Sequence, residues 1–338
     1  MRVAILGAGI AGLSAAHALM REAVRRGTAV EVTVLEAGDR PGGRIRTTRE
    51  DGWLIEWAAN SILGAEGAPW RVAEEAGLGA ERAIARPDAA RRYIWRGGAL
   101  HLVPLSPGAL FGFGAISPAA RLRVVLEPFF ARRVPHDETV HEYASRHIGG
   151  EAARVLVGAA VRGIFAGDAR RLSTDAAFPV MREMEREHRS LVFAMIARMA
   201  AARKTSARKA SAGPGGRALW SLAGGLQSFV DALASPLGGA LKLRSPILSI
   251  RRRAGAGYDL ALASGVRLDA EAVVIATPPR TAAALLRDLM PDAARLLTNI
   301  TSAGLHVVAL GFRSGAFRTP PDGYGFLVPP GEDLDILG

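Results

Sequence analysis

Val3-Ala4-Ile5-Leu6, Gly7-Ala8-Gly9-Ile10-Ala11-Gly12 and Val30-Glu31-Val32-Thr33-Val34-Leu35-Glu36 decide the fold. The first is apolar with no polar alternation, as a strand buried on both faces of a parallel sheet should be. The second has the G-x-G-x-x-G spacing: Gly7 makes the tight turn, Gly9 lets a pyrophosphate approach the backbone, and Gly12 packs the helix that begins at Ile10 and Ala11 against the strand. The helix N-terminus then faces the phosphates. Leu13, Met20 and Val24 follow at helical spacing, His17 shares their face as a packed core histidine, and Gly27 stops the helix. The third segment resumes strand alternation and ends on Glu36. A carboxylate there accepts from ribose hydroxyls and repels the extra phosphate of NADP, so FAD or NAD is favoured.

The segment after Glu36 separates these cofactors. In Gly38-Asp39-Arg40-Pro41-Gly42-Gly43-Arg44, paired glycines beside an arginine suit a backbone wrapped close to ribose and pyrophosphate. Glu36-Ala37-Gly38 leading into Gly42-Gly43-Arg44 resembles the flavin-containing amine oxidase superfamily, which includes monoamine oxidases, phytoene desaturases and protoporphyrinogen oxidases. That resemblance implies FAD.

A chain of 338 residues has room for about two domains. Hydrophobic residues make up 49% of it, enough for a real core. The absence of cysteine excludes disulfides, thiolate metal sites, cysteine nucleophiles and a cysteine-linked flavin. A net charge of +11 suits phosphates, anionic lipid or an acidic substrate, and an arginine-rich genome explains it equally well. No run approaches the roughly 20 apolar residues of a spanning helix, and the N-terminus enters strand and turn without a signal-peptide pattern. No nucleic-acid motif accompanies the charge, and nothing in the sequence sets an oligomeric state.

Farther along, Asp51 to Glu56 reads as a turn into a strand, and Trp57-Ala58-Ala59-Asn60-Ser61 resembles the superfamily segment near the flavin ring, which implies cofactor contacts at Ala59 and Asn60. The superfamily usually has glycine where Ala58 stands. A helix from Pro69 to Ala76 ends at Gly77. Arg91-Arg92-Tyr93-Ile94-Trp95-Arg96-Gly97-Gly98-Ala99-Leu100-His101-Leu102-Val103-Pro104 reads as a hairpin closing at Gly97-Gly98. This hairpin, and Gly163-Ile164-Phe165-Ala166-Gly167-Asp168 with Leu172-Ser173 and Phe178-Pro179, are similar to the protoporphyrinogen oxidase family. The resemblance implies that Arg92 engages a substrate propionate and that Gly167 lies beside the tetrapyrrole cavity. A guanidinium fork suits a planar carboxylate, and adjacent Arg91 is an alternative.

From Met181 to Lys209, basic residues interleave with Leu191, Val192, Phe193, Met195, Ile196 and Met199. The stretch fits an anionic bilayer or an amphipathic helix packed on the core, and the family resemblance favours the bilayer. Lys204 to Gly216 reads as a loop. Leu241 to Arg253, Tyr258 to Ala263 and Val266 to Leu268 read as strands of a meander. Ala272-Val273-Val274-Ile275-Ala276-Thr277 is a buried parallel strand whose tip, at Ala276, should approach the cofactor. By the resemblance, the Ile247 backbone holds the adenine, and Ile300 stands where the family carries cavity-lining aromatics. Leu305 to Phe312 reads as a strand of a second sheet. The resemblance covers nearly all of this chain, while family members usually continue beyond it, so a fragment or a defective product is expected.

The expected fold is α/β: a Rossmann-like FAD-binding domain (1–84 and 216–279), a mixed-sheet substrate domain (85–103 and 280–338) and a helical, possible membrane-associated insertion (104–215). The expected function is oxidation of protoporphyrinogen IX to protoporphyrin IX in haem biosynthesis, with hydride passing to FAD and molecular oxygen as final acceptor. The expected location is the cytoplasm, peripheral on the inner face of the cell membrane. Two alternatives stand: another flavin amine oxidase or phytoene-desaturase-like enzyme, and a truncated nucleotide-binding remnant. No general base and no metal site are identified.

Overall fold

The computed structural model describes residues 1–64, 67–104, 106, 108–194, 196–197, 219–313, 315–319 and 321–338, which divide between two compact units. The first unit contains Met1–Ala85, Pro214–Ser302 and His306–Phe312; the second contains Arg86–Gly213, Ala303–Leu305 and Arg313–Gly338.

The first unit is built on a parallel sheet. Strand β1 (Arg2–Leu6) pairs on one side with β2 (Glu31–Leu35) and on the other with Ala272–Ile275, and the short strand Leu241–Lys242 adds to β2. Side chains of β1 alternate between two cores. Val3 and Ile5 join Leu13, Val34, Trp220, Phe229 and Val230, while Ala4 and Leu6 join Leu35, Ile250, Leu260 and Leu285. This two-sided burial is why the segment carries no polar alternation, and each fully buried aliphatic side chain contributes about 1.5–3 kcal/mol.

Helix α1 (Ile10–Arg26) follows the glycine turn and ends at Gly27, whose left-handed backbone lets its N–H donate to the carbonyls of Ala23 and Val24. Its buried face is Gly12, Leu13, Ala16 and Ala23. Val24, expected on that face, is 84% exposed, because α1 presents small residues to the sheet and one step farther round points at solvent. His17 sits at the edge of the face, its Nε2 3.3 Å from Glu75. Strands β3 (Thr47–Glu50) and β4 (Trp53–Glu56) form a hairpin over Asp51 and Gly52, and helix Ala68–Glu75 appears where its Pro and Gly signals place it.

Two strand expectations need correction. Leu241 to Arg253 is not one strand: Arg244 adopts a left-handed backbone (φ 50°), separating Leu241–Lys242 in the parallel sheet from Ile247–Arg252 in an antiparallel meander with Tyr258–Leu262 and Arg267–Ala270. Leu305 to Phe312 forms no strand. Among the described residues no strand runs beside it, and Leu305, Val307, Val308, Leu310 and Phe312 are 44–77% exposed. An extended apolar segment becomes a strand only when a neighbour takes its hydrogen bonds.

In the second unit the hairpin Arg92–Arg96 with Ala99–Leu102 turns on Gly97 and Gly98, both at positive φ, and Gly325–Leu327 adds in parallel beside Arg92–Arg96. Helices Pro118–Val125 and Gly158–Phe165 share a core with Ile94 of this hairpin, while Val140–Ile148, opened by a Thr139–Glu142 capping box, meets Pro179–His188 in a separate cluster at Tyr143 and Met184. Helix Gly158–Phe165 runs through Gly163 and stops only at Ala166, which is left-handed at φ 46°. A side chain at Gly163 would collide with Leu327, so this glycine permits helix-on-strand packing. The predicted amphipathic stretch is interrupted: Pro179–His188 ends at Arg189 (φ 61°), and 191–194 begins a new helical turn with Leu191 and Ala194 buried. Residues 198–216, holding the end of that stretch and the predicted loop, lie outside the described residues.

The helical core contains a buried charge network. Glu127 and His147 are both fully buried, with His147 Nδ1 2.6 Å from Glu127 Oε1. Ser190 Oγ and the N–H groups of Leu191 (2.9 Å) and Val192 (3.3 Å) also donate to the Glu127 carboxylate, which therefore caps the turn at 191–194. Arg146 and Arg182 meet Glu138 and Glu185, all less than 10% exposed in their side chains. Burial alone would raise the Glu127 pKa, but the donations from His147, Ser190, Leu191 and Val192 outweigh it and hold it at about 2, against 4.5 ordinarily. A carboxylate depressed on folding contributes stability above its unfolded pKa and loses it as pH falls through the folded value. Glu127→Ala should destabilise the protein by about 3–5 kcal/mol, since it strands buried donors. Acid titration of the near-ultraviolet circular dichroism should show the wild type losing stability between pH 4.5 and about 2 more steeply than Glu127→Gln.

Candidate active site

The cofactor cradle is assembled in the first unit from three backbone segments. Gly7 N–H donates to Leu35 O at 2.8 Å, Ala276 N–H donates to Leu6 O at 2.9 Å, and Gly42 N–H donates to Ala8 O at 2.8 Å. Gly9 and Gly42 form an isolated parallel bridge. These contacts bring Gly7 to Gly12, Gly42 to Gly43 and Ala276 together. A side chain on Gly12 would collide with the Gly7 carbonyl oxygen, so helix and turn close only without one. Gly7 is itself at φ 101°, with the Ala276 carbonyl 3.1 Å from where a Cβ would stand.

Gly9 differs from its neighbours. The position of its absent side chain has nothing within 4 Å, leaving open space over the start of α1. No side chain caps α1 and no acid occupies its first turn, so the N–H groups of Ile10, Ala11 and Gly12 form an uncompensated positive end. Behind the turn, Thr277 Oγ1 is buried without a hydrogen-bond partner. Open backbone, helix N-terminus and unpaired hydroxyl fit a pyrophosphate.

Glu36 braces this cradle. Its Oε2 accepts from Ala8 N–H and its Oε1 from Gly38 N–H, each at 2.8 Å. Each oxygen retains a second lone pair, so ribose hydroxyls can still be held. Ala37 is exposed between these anchors. Ser245 N–H donates to Glu36 O at 2.7 Å and Arg244 N–H to Gly38 O at 2.8 Å, which ties the segment leading into Ile247 to the Glu36 turn. Arg44 is exposed, with no ion pair among the described residues. Ala59 and Asn60 are exposed between β4 and strand Ile62–Leu63.

Arg40, to which the sequence reading assigned no role, is the internal tie of the paired-glycine loop. Its guanidinium donates to Pro41 O (3.1 Å), Ile45 O (3.0 Å) and Gly43 O (2.9 Å). A cation flanked by Gly38 and Gly42 was the available signal, since glycine turns expose carbonyls. Thr277 carried no signal beyond its place at a strand tip.

The predicted substrate residues are placed as follows. Ile300 is 53% exposed after helix Pro291–Thr298 in the first unit. Gly167, in the second, is packed against Leu172 and Phe165, the site of a Cβ being 3.5 Å from Leu172. Arg92 is exposed at the start of its strand, with its guanidinium 5.4 Å from the centre of the Tyr324 ring. Arg91 is instead held by Asp322 at 2.7 Å, and Tyr93 OH donates to the same carboxylate at 2.9 Å. That contact raises the Tyr93 pKa and lowers that of Asp322.

Proteins of known name resemble this chain along nearly its whole length. Coproporphyrinogen III oxidase of Bacillus subtilis (strain 168) is 29% identical over 99% of this chain and 71% of its own length. Protoporphyrinogen oxidase of Bos taurus is 33% identical over 99% of this chain and 72% of its own. A crystal structure of a candidate protoporphyrinogen oxidase from Exiguobacterium sp. 255-15 superposes with a TM-score of 0.68 at 26% identity, over 86% of this chain and 61% of that one. Cyclohexylamine oxidase from Brevibacterium oxydans IH-35A shares the fold at a TM-score of 0.58 and 20% identity. The chain thus spans less than two thirds of the solved Exiguobacterium chain. The Flavin containing amine oxidoreductase profile matches residues 10–338, and its cofactor, FAD, fits the cradle at Gly7 to Gly12. The chain belongs to the flavin containing amine oxidoreductase family.

Proposed function

We propose that this chain oxidises a porphyrinogen to the porphyrin in haem biosynthesis, with protoporphyrinogen IX as substrate and molecular oxygen as final electron acceptor. The observation that carries the reading is the open glycine cradle braced by Glu36, found in a chain that aligns over 99% of its length with proteins named as porphyrinogen oxidases, covering 71–72% of theirs. FAD, when bound, supplies the electron acceptor. The Gly7 to Gly12 turn with α1 would hold its pyrophosphate, Glu36 its ribose, and Gly43, Arg44, Ala59, Asn60, Ile247 and Ala276 its flanks. Arg92 would orient the substrate by pairing with a propionate. Arg92 is the better candidate of the arginine pair because Arg91 already has a carboxylate partner. No side chain is assigned as general base, so the protein acts by positioning. Phe129, Phe130, Phe193 and Ile196, 52–81% exposed in the second unit, would meet an anionic membrane surface.

Purified protein should be yellow and release FAD on denaturation; a colourless, flavin-free preparation would favour the nucleotide-binding remnant. Glu36→Ala should lower bound FAD per chain severalfold, because both glycine loops lose their shared acceptor, with far-ultraviolet dichroism retained. Arg92→Ala should raise KM for protoporphyrinogen roughly 10–100-fold, the worth of a charge-assisted hydrogen bond, while flavin content stays constant. Oxidation of an amine in place of protoporphyrinogen would move the assignment to another branch of the family. In a flotation assay the protein should rise with phosphatidylserine vesicles, and Phe129→Ser with Phe193→Ser should reduce that fraction; equal flotation would remove these side chains from the contact.

A further inference from the structure

The edge that presents Arg92 holds two arginines and treats them differently. Arg91 Nη1 lies 2.7 Å from Asp322 Oδ2, and Tyr93 OH occupies Oδ1 of the same carboxylate at 2.9 Å. The backbone fixes this arrangement from the other side, with Tyr324 N–H donating to Arg91 O at 2.9 Å and Gly325 in register with Arg92. Gly323 has to be glycine for the approach, since a Cβ would stand 2.9 Å from the Tyr93 ring and 3.0 Å from Arg91 O. Two residues beyond Asp322, the Tyr324 ring lies against the Arg92 guanidinium. Both guanidinium groups are thus anchored along the three-residue run Asp322–Tyr324, one neutralised by a carboxylate and the other left charged on an aromatic face. Arg92 has no carboxylate partner among the described residues.

Resting on the porphyrinogen reading, we infer that Asp322 is a specificity-determining positioning residue: by sequestering Arg91 it leaves one guanidinium at this edge and selects a substrate with two carboxylates over one with four. Porphyrinogens of the haem-forming series differ in this respect, protoporphyrinogen bearing two propionates and coproporphyrinogen four. With Arg91 free, the edge would offer two forks, which suits a carboxylate-rich macrocycle. With Asp322 in place, carboxylates beyond the one that Arg92 takes find no free guanidinium at this edge, and a macrocycle with four of them has two more to leave unpaired than one with two. The residue acts through Arg91 and needs no contact with the macrocycle.

The test uses the full chain and the stable oxidised porphyrins, so it does not depend on turnover. Binding of protoporphyrin IX and coproporphyrin III is measured by Soret absorbance at low ionic strength, where charge effects are least screened. Asp322→Asn should tighten coproporphyrin binding about tenfold relative to protoporphyrin, the order of one added charge-assisted contact. Asp322→Glu should keep the wild-type ratio, and Arg91→Ala in the Asp322→Asn background should abolish the gain. These outcomes separate sequestration from a structural role, which would weaken both ligands alike in Asp322→Asn and show no dependence on Arg91. An unchanged ratio in Asp322→Asn, with both porphyrins bound, would overturn the inference and leave the porphyrinogen reading standing. Wild-type protein that binds neither porphyrin would sink the porphyrinogen reading, and this inference with it.

Discussion

The first unit depends on one carboxylate. Glu36 receives Ala8 N–H on one oxygen and Gly38 N–H on the other, so the turn after β1 and the turn after β2 share an anchor. Charge-assisted bonds of this kind are roughly twice as strong as neutral ones, and here they fix two glycine-rich segments that have no side chains to fix themselves. Everything that makes the cradle follows. The Gly42 contact to Ala8, the Gly9–Gly42 bridge and the Arg40 ties within the loop all require Gly38 and Ala8 to be held at one spacing. Glycine makes the close approaches sterically possible; Glu36 selects one of the many conformations that glycine allows.

The second unit solves a different problem with the same chemistry. It buries Glu127, Glu185, Glu138, Arg146 and Arg182 around the His147 ring, and removing such charges from water is costly unless every one is paired. Each is. His147 places one ring nitrogen on Glu127 and the other near Arg146 and Glu185, while Glu127 spends its remaining acceptor capacity on the backbone at 191–192. An apolar core could supply comparable stability, but it would not dictate which helix end meets which carboxylate. The network therefore specifies the packing register of helices that come from distant parts of the chain.

What could be read from the sequence was whatever chemistry is local. Gly7 to Gly12, the Gly27 helix stop and the Gly97-Gly98 turn are each decided by a few adjacent residues, and they stand where their patterns put them. Resemblance to a family nominated residues that no pattern singles out, such as Arg92. Neither source could show that Asp322, 231 residues away, claims Arg91, because sequence carries no record of which side chains meet. The misread strands fail for the same reason in reverse. Leu305 to Phe312 has strand composition but no adjoining strand among the described residues, and Arg244 breaks the predicted strand through a backbone angle that an arginine does not advertise. Gly163 serves as a packing surface inside its helix, since what it spares is a clash with Leu327 that no local pattern announces.

The excess positive charge illustrates the same limit at the level of the whole chain. As composition, +11 suggests a surface waiting for phosphate or lipid. In the structure many guanidinium groups are spent inside the protein on carbonyl oxygens. Arg123 donates to the carbonyls of Arg146 and His147 at the end of helix Val140–Ile148, Arg162 to Pro329, Arg182 to His136, Arg189 to Ala131 and Arg40 to its own loop. Five donors in a rigid fork make arginine an effective satisfier of helix-end and loop carbonyls, a task that uses its geometry more than its charge. Net charge therefore overstates how much cation is available to a ligand. Arg92, resting on Tyr324 beside a neutralised neighbour, is a guanidinium that no carbonyl or carboxylate among the described residues has taken.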